Sequence, residues 1–273
     1  MRLQHIDPHP LLKGYIEKMW IFESSCRVPN DDMKLIVPNG CVKLVVPFKN
    51  GLSGKYSEWF HLSKENSISL IGISDMPAIV DSEHDSAAGT IGIEFNQIGS
   101  YRFFRVRQCD IKNKIHPLID ILGTTAKRME EQIANAERIT DKVLLLQQFL
   151  LKLLSVKDED SVFDYCVRKI NLSKGKITVK ELERQTGYSS RWLNMKFIDK
   201  AGLSPKNLAS IIRFQQFYQA MANKSEMLFL QKEFYDYYYD QSHFIKDFKR
   251  FTGIPPIKFM NATNDFGKIF YKE

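Results

Sequence analysis

The sequence predicts an α+β protein with two domains, a β-rich first domain that ends in helices and an all-α second domain. Its 273 residues exceed the roughly 100–200 residues of a typical single domain. Short apolar or alternating runs between turn residues dominate residues 1–110, whereas apolar residues recur at helical spacing from Ser161 onward. Between them lies a short charged linker at residues 155–160. We therefore assign residues 1–157 to the first domain and residues 158–273 to the second.

The first domain contains several predicted strands. Turn residues separate them at Pro38-Asn39-Gly40, at Lys49-Asn50-Gly51 and at Gly54. Many short strands at such spacing are typical of a β-sandwich or a small barrel. The clearest runs are Met19-Trp20-Ile21-Phe22, Cys41-Val42-Lys43-Leu44-Val45-Val46, Ser67 to Ile73, and Thr90-Ile91-Gly92-Ile93-Glu94-Phe95.

A long apolar helix is predicted at residues 137–154. Five apolar residues follow helical spacing, and four more widen the stripe beyond one core-facing side. Two interpretations stay open: a buried helix that closes the first domain, or a helix that also packs on a second subunit in a homodimer. The first set is Ile139, Val143, Leu146, Leu150 and Leu153; the second is Leu144, Leu145, Phe149 and Leu151.

Net charge and cysteine usage narrow the class of protein. The chain has a net charge of +7, and residues 158–273 hold 19 Lys and Arg against 14 Asp and Glu. A basic second domain favours a polyanionic partner, because lysine and arginine release counterions from phosphates. Four separated cysteines without a Cys-x-x-Cys pattern predict neither disulfides nor a zinc site. With no signal peptide and no apolar run near ~18 residues, we expect a cytoplasmic protein without membrane contact.

An internal repeat organises the second domain. Residues 188–206 recur 51 residues later as residues 239–257. In each copy a polar residue (Ser189 or Asp240) can cap a helix, and an i, i+4 apolar pair can anchor one face in the core. A glycine then ends the helix and a proline follows. The matching positions are Tyr188 and Tyr239, Leu193 and Phe244, Phe197 and Phe248, Gly202 and Gly253, and Pro205 and Pro256.

A shorter helix precedes the first copy. Thr178 and Glu181 form a capping-box pattern, and Gly187 is placed to end the helix with a left-handed cap. Two helices joined by such a turn make a helix-turn-helix. Ser204-Pro205 then starts a long central helix that runs to Met221 and joins the two units.

The exposed faces of the two repeated helices carry side chains that suit nucleic acid. Arginine can pair with guanine, asparagine or glutamine with adenine, and methionine can contact a thymine methyl group. The base-reading candidates are Arg191, Asn194, Met195, Gln241, Ser242 and Lys246. The phosphate-contacting candidates are Ser190, Lys196, Lys200, His243, Lys249 and Arg250.

The second copy resembles the C-terminal signature of the AraC/XylS family of transcription regulators. The resemblance rests on Asp240-Gln241-Ser242-His243-Phe244, Phe248-Lys249-Arg250, Gly253 and Pro256, and it covers about residues 160–260. It implies a DNA-binding module of seven helices, with two helix-turn-helix units joined by the central helix. Double-stranded DNA, RNA polymerase and an unknown small-molecule effector are the implied partners, with a location on the bacterial nucleoid.

The first domain resembles the cupin-like sensor domain of some such regulators. Pro38-Asn39-Gly40-Cys41 before a strand carries this resemblance, together with Ile91-Gly92-Ile93-Glu94-Phe95 and Gly99-Ser100-Tyr101-Arg102-Phe103-Phe104. The cupin metal signature of His-x-His followed by Glu and His is absent. We therefore expect no metal, no cofactor and no catalytic residue in this domain.

Four positions in the second domain depart from the family pattern. Phe234 and Tyr238 stand where the second unit usually has a small residue and a glycine, and Glu183 stands where the first unit has a small residue. Met195 occupies a base-reading position that is often arginine. These differences affect the geometry of the module and its target sequence.

The expected function is that of a sequence-specific DNA-binding transcription regulator, of the activator type and responsive to an effector. Two alternatives remain: a cupin-type enzyme with an appended DNA module, and a non-specific architectural DNA-binding protein. Since residues 158–273 have their own capped helices and apolar anchors, we also expect them to fold alone and to bind DNA without the first domain.

Overall fold

The protein folds into a β-rich first part and a helical second part, as the sequence predicts. The structure is a computed structural model and describes residues 1–82, 87–154, 159–223, 238 and 240–271. The strands are β1 (Arg2–His5), β2 (Ile16–Ser24), β3 (Leu35–Ile36), β4 (Val42–Lys49), β5 (Leu52–Tyr56), β6 (Trp59–Ser63), β7 (Ser69–Ile71), β8 (Ala78–Ser82), β9 (Ala88–Phe95) and β10 (Ile115–Pro117).

The strands form two antiparallel sheets. One sheet has six strands in the order β1-β2-β9-β4-β7-β10, and the other has four in the order β3-β8-β5-β6. All eight positions of β9 are buried, which fits its place between β2 and β4. Gly92 of β9 lies against the ring of Trp20, where an added Cβ would come within 2.1 Å of a ring carbon. The predicted strand at residues 90–95 is therefore a central strand that requires glycine at its middle.

Eleven helices are described. In the first part they are α1 (Ser100–Phe103), α2 (Leu118–Leu122), α3 (Thr124–Asn135) and α4 (Ile139–Leu153). In the second part they are α5 (Ser161–Leu172), α6 (Val179–Thr186), α7 (Ser190–Ala201), α8 (Pro205–Asn223), α9 (Gln241–Thr252), α10 (Pro256–Met260) and α11 (Asp265–Ile269).

Helix α4 closes the first part, as one of the two interpretations requires. Val143, Leu146 and Leu150 are buried in the same core as the strands. The exposed side carries Leu144, which is 55% exposed, beside the polar Gln148. The second interpretation, a subunit contact through this helix, therefore depends on a narrow apolar surface around Leu144.

The helical part has two cores. Helices α5, α6, α7 and α8 enclose one cluster that includes Phe163, Leu182, Leu193 and Phe197. The other is aromatic and lies between α8, α9 and α10, where Phe248 packs edge-on against Phe214 at 5.8 Å and against Phe259 at 5.4 Å between ring centroids. Each repeated helix buries its i, i+4 apolar pair, and the aromatic cluster around α9 is continuous with the core of the first part.

The end of the helical part packs against the first part. The side chain of Asn264 accepts a hydrogen bond from the backbone N of Leu35 at 2.9 Å and donates one to the backbone O of Leu35 at 3.0 Å. The Tyr271 hydroxyl donates to the backbone O of Val37 at 2.6 Å. Phe266 packs edge-on against Phe22 at 5.5 Å. Since these contacts bury aromatic side chains of residues 264–271, independent folding of residues 158–273 stays a prediction.

A buried ion pair also joins the two parts. Arg102 of α1 donates to Asp164 of α5 at 2.8 Å, and the two side chains are 2% and 8% exposed. The hydroxyl of Tyr101 donates to the same carboxylate at 3.0 Å. If the two parts of the chain came apart, the guanidinium of Arg102 would therefore lose its main partner.

Candidate nucleic-acid interface

Helices α6 and α7 form a helix-turn-helix with the predicted caps. Thr178 accepts a hydrogen bond from the backbone N of Glu181, and the Glu181 carboxylate accepts one from the backbone N of Thr178 at 2.7 Å. Gly187 ends α6 with φ of +76°, a left-handed conformation that glycine adopts without steric cost. Ser189 then caps α7 by accepting from the backbone N of Trp192. The sequence therefore determines this unit through local hydrogen bonds.

Glu183 replaces the usual small residue of this unit and has a definite role. Its carboxylate accepts hydrogen bonds from the backbone N of Ser190 at 2.7 Å and from the Ser190 hydroxyl at 2.6 Å. These bonds join α6 to the first turn of α7 and lower the pKa of Glu183. They also occupy the hydroxyl of Ser190, which the sequence assigns to a phosphate contact.

The predicted base-reading residues of α7 lie on its exposed face. Arg191, Asn194 and Met195 are exposed, whereas Leu193 and Phe197 are buried in the core. Such a division is what a recognition helix needs, because one face must pack and the other must reach base edges in the major groove.

An aromatic stack lies beside these residues on α7. The rings of Tyr188 and Trp192 stack with centroids 4.0 Å apart and an interplanar angle of 19°. The ammonium group of Lys196 lies 5.1 Å from the centroid of the Trp192 ring. The side chain of Trp192 is half-buried in this stack.

The second repeated helix, α9, has the same division. Asp240 caps it by accepting from the backbone N of His243 at 2.7 Å, and Gly253 ends it with φ of +79°. Phe244 and Phe248 are buried, as expected from the repeat. The exposed residues include the base-reading candidates Gln241, Ser242 and Lys246.

The helix expected before α9 and the departure at Phe234 lie outside the described residues. The other departure, Tyr238, is 2% exposed. Its ring packs edge-on against Phe244 at 5.2 Å, and the guanidinium of Arg213 lies 5.2 Å from its centroid. Tyr238 therefore belongs to the core of the second unit.

Two of the phosphate-contact candidates on α7 make ion pairs with Asp160. Its carboxylate lies 3.0 Å from Nζ of Lys196 and 3.7 Å from Nζ of Lys200. Burial raises the pKa of Asp160, but its hydrogen bonds and the charges of the two lysines outweigh burial and lower the pKa below its ordinary value. The sequence assigns Asp160 to a linker, whereas the structure shows it as the N-cap of α5 and the partner of both lysines.

The candidates on α9 differ in how firmly they are held. Lys249 is exposed, and His243 lies 3.7 Å from the carboxylate of Asp247. Arg250 instead reaches the first part of the chain, where it donates to Asp75 at 2.7 Å. Sequence reasoning could not identify this acceptor, because Asp75 lies 175 positions earlier in the chain.

The first part contacts the C-terminal ends of both repeated helices. At the end of α7, the backbone O of Asp199 accepts a hydrogen bond from the backbone N of Gln108 at 2.8 Å. At the end of α9, Asp75 binds Arg250 and also accepts from Lys112 at 2.7 Å. Burial opposes the ionised form of Asp75, but these partners lower its pKa. One region of the first part thereby fixes both helices while their capped N-terminal turns carry the base-reading candidates.

Two other kinds of site are absent from the described residues. Within those ranges, no three His, Cys, Asp or Glu side chains come together in a way that would bind a metal ion. Nor does any helix there have the length and apolar character to cross a membrane.

Comparisons with known proteins concern both parts of the chain. Residues 4–117 match a family described as a domain of unknown function (DUF6597). No curated protein matches the chain. Among solved structures, the chain is similar to apo ToxT from Vibrio cholerae, with 11% sequence identity, a TM-score of 0.48, and coverage of 90% of this chain and 98% of that one.

Two further structures are similar at low identity. Wild-type ToxT bound to an unsaturated fatty acid matches with 12% identity and a TM-score of 0.45, covering 96% of this chain and 98% of that one. The AraC-like transcriptional activator CuxR matches with 14% identity and a TM-score of 0.25, covering 71% of this chain and 79% of that one.

Proposed function

We propose that the protein is a sequence-specific DNA-binding transcription regulator of the AraC type. The observation that carries this proposal is the pair of capped helices, α7 and α9, with polar exposed faces and buried apolar anchors. Each inserts its N-terminal half into a major groove, where Arg191 and Asn194 of α7 and Gln241 and Lys246 of α9 contact base edges.

One connecting helix joins the two units that the proposal places in successive major grooves. The connecting helix α8 has 19 residues and therefore a length of about 28 Å. Adjacent major grooves on one face of the duplex are about 34 Å apart. Helix α9 packs along this helix, where Phe244 contacts Phe217, and α7 packs near its start, at Leu208. The proposal places the two recognition helices in neighbouring grooves on the same side of DNA.

The two alternatives have less support. A non-specific architectural protein needs basic surface without base readers, whereas α7 and α9 present unlike sets of side chains, which suits an asymmetric site. A cupin-type enzyme needs a metal-binding set, and the described residues bring no such set together. The proposal assigns no catalytic residue.

Replacing Arg191 with alanine tests the assignment of a base reader. We expect DNA affinity to fall by about 1–3 kcal/mol, with relaxed preference at one base pair, because a bidentate contact to guanine is lost. Electrophoretic mobility shift with single-base variants of the bound site measures both effects. The matched control is Arg128→Ala, which removes an exposed arginine from α3 of the first part. An equal loss of affinity for every sequence would show that Arg191 contacts phosphate instead.

The phosphate contacts fall into two groups in this proposal. Lys249 is exposed and free to reach the backbone of DNA, and the exposed His243 can join it. Lys196, Lys200 and Arg250 must exchange their bonds with Asp160 and Asp75 for bonds with phosphates. Ser190 must likewise exchange its bond with Glu183. DNA binding by these residues is therefore coupled to contacts that hold the recognition helices in the free protein.

The first domain, residues 1–157, acts as the sensor in this proposal. It responds to a small-molecule effector and transmits the response to residues 158–273 through their shared contacts. RNA polymerase is the protein partner at the promoter, and the protein works in the cytoplasm on the bacterial nucleoid.

A homodimer through residues 137–154 is a further part of the proposal. The apolar surface available for it is centred on Leu144. Sedimentation of the full chain is expected to show a dimer at tens of micromolar, and Leu144→Asp to shift it to a monomer, since burying an unpaired carboxylate is unfavourable. A full chain that sediments as a monomer at those concentrations rules the dimer out.

A further inference from the structure

A cavity of about 580 Å³ lies between the two parts of the chain. One wall comes from the six-stranded sheet and the segments beside it, including Glu17, Asn39 and Glu94. The opposite wall comes from α5 and α8, including Arg168 and Gln215. Its volume is within the ~300–1,000 Å³ of typical small-molecule sites. A ligand there would contact the sensor and the DNA-binding part together.

The sheet side of this cavity carries two carboxylates without an ion-pair partner among the described residues. Glu94 is 4% exposed, and its donors among the described side chains are both neutral: Asn39 Nδ2 at 2.6 Å and Trp20 Nε1 at 3.3 Å. The nearby Lys43 donates to Asn39 rather than to Glu94. A buried carboxylate that lacks a cation is unfavourable, so this side of the cavity favours a positively charged group.

Glu17 strengthens that preference. The Glu17 side chain is exposed at the open side of the cavity. Desolvation by the surrounding protein and the charge of Glu94 raise its pKa, although Lys18, which also lines the cavity, acts in the opposite direction. The negative charges of Glu17 and Glu94 repel each other, so a cation placed between the two carboxylates stabilises both.

Gln215 is independent evidence that the cavity lacks a hydrogen-bond donor. Its side chain is 4% exposed and lines the cavity. Its amide nitrogen donates to the backbone O of Pro38, but its Oε1 has no hydrogen-bond donor within the described part of the chain. Leaving a buried acceptor without a donor is costly, so the site favours a ligand with several N–H groups.

We propose that this cavity binds a small organic cation, a primary amine or a guanidine. Its N–H groups donate to Glu94, Glu17 and Gln215, while Gln216 and Gln219 of α8 offer hydrogen bonds to the rest of the molecule. The role of this ligand as the effector of the regulator rests on the proposed function, whereas its binding to the cavity does not. A fatty acid, the ligand in one ToxT structure, is negatively charged, so the Glu17 and Glu94 carboxylates would repel it.

Agmatine, which carries both an amine and a guanidine, is the probe for this site. Isothermal titration of the full chain without DNA is expected to show one molecule bound per chain, with a Kd below about 1 mM. 1,4-Butanediol, a neutral compound, and oleate, an anionic one, are expected not to bind at this site. Absence of agmatine binding up to about 10 mM overturns the proposal.

Substitution of the carboxylates locates the ligand. Glu17→Gln is expected to weaken agmatine binding by roughly tenfold or more, because a charge-assisted hydrogen bond is lost. Glu94→Gln is expected to do the same, and Glu17 keeps the test decisive if the buried Glu94 variant fails to fold. The control is Glu23→Gln, an exposed glutamate of the same strand. If Glu17→Gln binds agmatine as tightly as the unaltered chain, the proposed site is wrong.

The two proposals fail in distinguishable ways. Agmatine binding by a chain that binds no DNA would leave the cation site in place and remove the regulator. DNA binding that persists with no binding of agmatine would remove the cation site alone.

Discussion

Replacing Asp164 with asparagine is expected to lower the free energy of unfolding by about 3–5 kcal/mol, the range for breaking a buried ion pair from one side. Arg102 would keep its charge at 2% exposure and lose the carboxylate 2.8 Å away. Its remaining acidic partner, Glu159, is 66% exposed and 3.3 Å away, so it compensates only in part. The hydroxyl of Tyr101 also donates to Asp164.

Chemical denaturation of the full chain measures this change. The matched control is Asp199→Asn, which breaks the exposed pair between Asp199 and Arg107, also a contact between the two parts. Exposed pairs contribute about 0–1 kcal/mol, so the control should differ little from the unaltered chain. Equal effects of the two substitutions would mean that the contact around Arg102 is open to water in solution.

The second large effect is expected at the end of the chain. Phe266→Ala should cost about 3–5 kcal/mol, the range for truncating a buried phenylalanine. Its side chain is 4% exposed and lies in a cluster with Trp20 and Phe22 of the first part. The cavity left by the truncation cannot be filled easily, since the strand β2 that carries both aromatic residues is held between β1 and β9.

Thermal unfolding of the full chain is a suitable measurement, with Phe60→Ala as the control. Phe60 lies on β6 and is 63% exposed, so its loss is expected to change stability by no more than about 0.5 kcal/mol. A Phe266→Ala protein as stable as this control would show that residues 264–271 do not pack on the first part in solution. In that case, removing the first part would expose no aromatic cluster of residues 264–271, and the fragment 158–273 would lose no stability on that account.

Local features of the helical part were predictable from the sequence. The capping box at Thr178 and Glu181, the left-handed glycines and the buried i, i+4 pairs all depend on residues within a few positions of one another. Short-range rules of this kind need no knowledge of the rest of the fold. For the same reason, the order of the strands in the two sheets was not predictable, because it depends on pairing between distant segments.

The acidic partners of the basic candidates were also not predictable. Asp160 binds Lys196 across 36 positions, and Asp75 binds Arg250 across 175. A lysine or arginine on a recognition helix has the same local pattern whether it is free for phosphate or held by a carboxylate. The contacts of Asn264 and Tyr271 with β3 and the residue after it, across 229 and 234 positions, were missed for the same reason.

Selection of bound sequences from a random DNA pool by the full chain tests the central claim most directly. If α7 and α9 read bases in successive grooves, the enriched site has two boxes whose centres lie about 10 base pairs apart. Arg191→Ala should then lose the preference at one position of one box, and Lys246→Ala at one position of the other. A folded chain that enriches no sequence, or a single short box that neither substitution alters, would contradict the account.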